Sequence, residues 1–61
     1  MNENKSKFQR TYANLPSAAR EEVIAVIEGE PYTWKSARLE VENETQVGTK
    51  ILESLVKLGI L

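Results

Sequence analysis

The amino-acid sequence predicts an all-α domain of three helices behind a flexible N-terminal arm. Three observations point there. Apolar residues recur at helical spacing in three successive segments, roughly residues 16–28, 34–42 and 45–58. Only about three residues separate the last two, and so short a link forces a large angle between helices. The chain has 61 residues with no Cys and no His, so neither disulfides nor a Cys/His metal site can brace a small core. Stability must come from regular helix packing or from a partner. The expected organisation is an arm over residues 1–13 and one helical domain over residues 14–61.

The arm is rich in Asn, Lys, Ser and Gln and shows no apolar period. Its exceptions, Phe8 and Tyr12, either dock on the domain as a short helical turn or stay mobile. The first helix is expected to enter at Pro16, with Ser17 as cap and Glu21 and Glu22 near the positive end of its dipole. Ala19, Val23, Ile24 and Ile27 would form its buried stripe, and Gly29 would stop it, with Pro31 two residues on. Residues 30–33 then form a short extended link, because Pro31 biases its predecessor away from helix.

Thr33 is a good cap for a second helix of about two turns, in which Trp34, Ala37 and Val41 fall on one face. Lys35, Ser36, Glu40 and Glu42 are left to water. The turn that follows has two readings. Either Asn43 ends the helix in a left-handed conformation and Thr45 caps the next one, or Asn43 caps, with Gln46 closing a capping box. In the third helix Val47, Ile51, Leu52, Leu55 and Leu58 form a wide apolar stripe, with Val56 on its margin. Its opposite side carries Gln46, Lys50, Glu53 and Lys57, with Thr49 beside them, and Glu53 and Lys57 form a favourably oriented pair. Trp34, Ile51 and Leu55 are expected to be structural, with Leu55→Ala costing about 2–5 kcal/mol if fully buried.

Composition narrows the function. All nine acidic residues are Glu, and Ser and Thr have no visible base partner, so no catalytic residues, metal ligands or cofactor are expected. The polar N-terminus lacks the apolar run of a signal peptide, and no stretch reaches the roughly 18 apolar residues of a membrane span, which makes cytoplasm the expected location. A net charge of −1 argues against sequence-blind coating of DNA. Any nucleic-acid face must be local.

The closing pattern Leu52, Leu55, Gly59, then Ile60 and Leu61, resembles the end of the recognition helix in winged-helix domains of the helix-turn-helix class. The segment Pro31-Tyr-Thr-Trp-Lys-Ser-Ala37 is similar to the short strand and second-helix entrance of that fold. The chain stops at Leu61, where the family's wing begins, so the resemblance is to a truncated or wingless member with winged-helix-like element order. It implies a small transcriptional regulator that binds double-stranded DNA. Gln46, Thr49 and Lys50 would enter the major groove, where Gln suits adenine, Lys suits guanine and Thr suits a thymine methyl or a phosphate. Lys57 and the basic arm residues Lys5, Lys7 and Arg10 would then hold the backbone.

A protein-interaction or dimerisation module is the rival expectation, since one fold serves several functions. The cluster Glu40, Glu42 and Glu44 lies beside the recognition helix and would repel phosphate. Ile60 and Leu61, if no wing covers them, could meet the same residues of a second copy and compensate for the small core.

Overall fold

The computed structural model describes residues 3–61, in the order α1 (Glu3–Ala13), a 3-10 helix (Ser17–Glu21), β1 (Val23–Ile27), β2 (Glu30–Thr33), α2 (Trp34–Glu42) and α3 (Gln46–Lys57). Three α-helices therefore pack with a two-stranded antiparallel hairpin, and the all-α expectation is corrected at residues 23–27, a strand where a helix is expected; residues 30–33 are extended, as expected, and pair with it. The hairpin also precedes the helix pair, where a wing would follow it. No helix among the described residues is long and apolar enough to cross a membrane.

The run Val-Ile-Ala-Val-Ile explains the hairpin. Its β-branched side chains lose rotamer freedom in a helix and pack well on a pleated surface. Glu28 and Gly29 both take positive φ, 53° and 82°, the pattern of the two-residue turn whose twist matches paired strands. Gly29 therefore turns the chain between strands; it does not end a helix. Pairing runs Ile27 to Glu30, Val26 to Pro31, Ala25 to Tyr32 and Val23 to Thr33, with one extra residue, Ile24, in β1. This bulge restores the alternation so that Ala25 and Tyr32 face the core, while Val23, Val26 and Pro31 share the outer face. Val23, expected in a buried stripe, is 58% exposed, and Val26 is 64% exposed.

The helix pair forms as its capping residues dictate. Thr33 Oγ1 accepts from the Ser36 amide at 3.1 Å while Ser36 Oγ accepts from the Thr33 amide at 2.9 Å, a reciprocal cap for α2. Thr45 Oγ1 accepts from the Gly48 amide at 3.0 Å and caps α3. The left-handed residue between the helices is Glu44, at φ 53°, whereas Asn43 stays right-handed at the end of α2. At Gly48 the two helices nearly touch. A Cβ built there would fall 2.8 Å from the Glu40 carbonyl carbon and closer still to its oxygen.

One core draws on four of these elements, Phe8 from α1, Ala25 from β1, Trp34, Ala37 and Val41 from α2, and Ile51, Leu52 and Leu55 from α3, with Tyr32 of β2 packed against it. Residues 3–13 are thus not a flexible arm. Phe8 is fully buried, its ring 5.4 Å from that of Trp34, and Tyr12 packs beside it. The apolar stripe of α3 ends sooner than the sequence pattern: Leu58 is 66% exposed, because the helix stops at Lys57. Beyond it the chain doubles back, with the Ile60 amide donating to the Leu55 carbonyl at 2.9 Å, and Leu61 settles against the core.

Candidate functional site

Gln46, Thr49, Lys50, Glu53 and Lys57 are all exposed along α3. Their surroundings differ from a bare recognition helix. The tip of the β-hairpin comes up beside them, and Lys50 Nζ lies 3.0 Å from a carboxylate oxygen of Glu28. Glu30 closes the same turn. The Thr49 hydroxyl is turned back onto its own helix, donating to the Thr45 carbonyl at 3.3 Å. Reading residues 23–28 as helix concealed this acidic tip, which the turn pair Glu28-Gly29 brings to the side of α3.

The three glutamates around the inter-helix turn each hold another element. Glu40 accepts from the Thr45 hydroxyl at 2.8 Å, Glu42 from the Gln9 side-chain amide at 3.1 Å, and Glu44 from Lys5 Nζ at 2.8 Å. The last contact raises the Lys5 pKa and lowers that of Glu44, in both cases chiefly through the hydrogen bond between them. Stability contributed by Glu44 is present above the usual carboxylate range and is lost as pH falls through its lowered value. That contributed by Lys5 is present below the usual lysine range and is lost as pH rises through its raised value. The tether between α1 and the turn thus holds across neutral pH. Lys7 and Arg10 are exposed. On a helix Lys5 and Lys7 point about 200° apart, so the expected basic arm does not present its three cations together.

The outer hairpin face is of another kind. Val23, Val26 and Pro31 are exposed side by side in the register of the strands, and Glu21, Glu22, Glu28 and Glu30 occupy the strand ends and turn. Elsewhere Leu39 on α2, Val56 on α3, and Leu58 and Ile60 just past its end are also exposed. Of the two residues expected at an interface, Ile60 is 43% exposed while Leu61 is packed against the core.

A third feature joins α1, the 3-10 helix and α2. The Tyr12 ring carries two guanidinium groups, with Arg20 Cζ 4.4 Å and Arg38 Cζ 5.0 Å from its centroid. They border an open cavity of about 450 Å³ with Gln9, Ala13 and Glu42. Neither arginine stands out in the sequence, because their approach depends on α1 docking across α2. Among the described residues no group of three or more His, Cys, Asp or Glu is placed to hold a metal ion.

No protein-family model matches the chain, and no curated protein or solved structure matches it significantly.

Proposed function

We propose that the domain is a protein-interaction module that docks through the outer face of its β-hairpin. One observation carries this reading: Val23, Val26 and Pro31 form an exposed apolar surface on a two-stranded support, with carboxylates at both ends. Apolar area gives affinity, and charge around it gives partner choice and orientation. The acidic surroundings disfavour a second copy on the same face, because glutamates would meet glutamates. They favour a partner whose apolar patch is bordered by Lys or Arg.

Two parallel measurements test this. The wild-type domain and a Val23→Asp, Val26→Asp variant serve as baits in extracts of the source cells, and any retained protein is then purified and titrated. The expected result is one partner, basic around its contact patch, held at least about tenfold more weakly by the variant. A partner bound equally by both removes the hairpin face from the proposal. Both substituted valines already face water, but Asp is a poor strand residue, so the variant should lose about 1–2 kcal/mol, and its circular dichroism must show it folded before the affinities are compared.

Binding to duplex DNA is the second reading, favoured by the shared exposure of Gln46, Thr49, Lys50 and Lys57 on α3. Titrating ¹⁵N-labelled protein with a mixed-sequence duplex at low and near-physiological salt separates the two. For a protein-docking module, no salt-sensitive shifts appear on α3. Shifts at Gln46, Thr49 and Lys50 that fade with salt, and vanish in Lys50→Glu, would instead establish the DNA reading.

A further inference from the structure

We infer that the cavity beside Tyr12 is a binding site for a small organic oxyanion, a carboxylate or a phosphate monoester, clamped between Arg20 and Arg38. The inference is independent of the docking face on the hairpin. It starts from the state of the two guanidiniums. Arg38 stands four residues before Glu42 on α2, a spacing at which side chains meet, yet it makes no ion pair with it. Instead it lies toward the Tyr12 ring, and Glu42 is engaged by the Gln9 amide. Arg20 donates through Nη2 to the Tyr12 carbonyl at 3.0 Å, which fixes its position, while its Nε is buried with no hydrogen-bond partner among the described residues.

Two like charges are thus held against one ring. Both retain N–H donors in the plane of the guanidinium, the geometry that grips carboxylate and phosphate oxygens. The two arginines outweigh the single carboxylate of Glu42 at this cavity in a chain whose net charge is −1. An oxyanion held by both relieves their repulsion and takes up guanidinium donors that the protein leaves unused. The volume, about 450 Å³, exceeds what a bare inorganic ion fills and falls within the range of small-molecule sites. The Tyr12 ring and Ala13 supply an apolar wall for the rest of the ligand. An anion attached to a small apolar body fits this combination.

Phenyl phosphate, benzoate, inorganic phosphate and benzyl alcohol, each titrated into ¹⁵N-labelled protein at constant ionic strength, test the assignment. The expected result is saturable shifts at Ala13, Arg20 and Arg38 with phenyl phosphate or benzoate, weaker ones with inorganic phosphate, and none with benzyl alcohol. The stronger of the two aryl anions identifies the headgroup. Arg38→Gln, at an exposed residue, should keep the rest of the spectrum and weaken binding about tenfold; Arg38→Lys should restore only part of it. No saturable shift with either aryl anion would overturn the site. So would equal response to benzyl alcohol, or unchanged affinity in a folded Arg38→Gln variant.

Discussion

Gly48→Ala is expected to destabilise the domain by about 3 kcal/mol, at the upper end of the range for overpacking. An alanine in the first turns of a helix would ordinarily stabilise by about 1 kcal/mol relative to glycine. Here the added methyl meets backbone. The Glu40 carbonyl that it strikes is held from two sides, accepting from the Thr45 amide at 3.2 Å and the Thr45 hydroxyl at 3.4 Å. Moving it away would separate α2 from α3 and loosen the cap on α3. For a 61-residue domain, whose total stability is on the order of 3–9 kcal/mol, such a loss is a large share of the whole. Thermal melts followed by circular dichroism should show a fall of roughly 10–20 °C, whereas Gln46→Ala and Thr49→Ala, on the exposed side of the same turn, should change little. A Gly48→Ala protein melting within a few degrees of wild type would show that the helices can part at no cost.

Gly48 also shows how unevenly the fold was legible. Helices α2 and α3 could be read from local signals: Thr33 and Thr45 as caps, Trp34, Ala37 and Val41 on one face, Ile51, Leu52 and Leu55 on another. Each signal acts within one turn of the chain. The hairpin is not legible in the same way. Val23, Ile24 and Ile27 satisfy a helical period and a short strand equally well, and the β-branched side chains together with Glu28-Gly29 as a turn were the features to weigh. Both exposed features, the apolar outer face and the acidic tip beside Lys50, exist only once this segment is a hairpin. Gln46, Thr49, Lys50 and Lys57 lie exposed on α3, as their polar stripe predicts. Their electrostatic setting was not visible, because Glu28 is twenty-two residues from Lys50. The pairing of Lys5 with Glu44 and of Gln9 with Glu42 depended likewise on long-range docking.

Phe8→Ala should be the most damaging single substitution, costing about 3–5 kcal/mol, which is comparable with the stability of the domain. The sequence around Phe8 reads as a polar arm, since Lys, Ser, Gln and Asn surround it, and only Tyr12, four residues on, hints that this side of the segment docks. In the structure its ring has no exposed surface and stands 5.4 Å from Trp34 and 6.3 Å from Tyr12. Removing it would open a cavity against Trp34 and withdraw the largest apolar hold on α1, leaving it to the partly buried Tyr12, the Arg20 hydrogen bond to the Tyr12 carbonyl and polar contacts such as those of Lys5 and Gln9. The loss of α1 would also dismantle the Tyr12 cavity while leaving the β-hairpin sequence intact. Trp34 fluorescence and urea unfolding should therefore report a largely unfolded Phe8→Ala protein, with Phe8→Leu retaining most of the structure. If Phe8→Ala unfolded at the wild-type urea midpoint with unchanged Trp34 emission, α1 would be a tail after all. The core would then have to be closed by the helix pair and the hairpin alone, and the arginine cavity would lose its third wall.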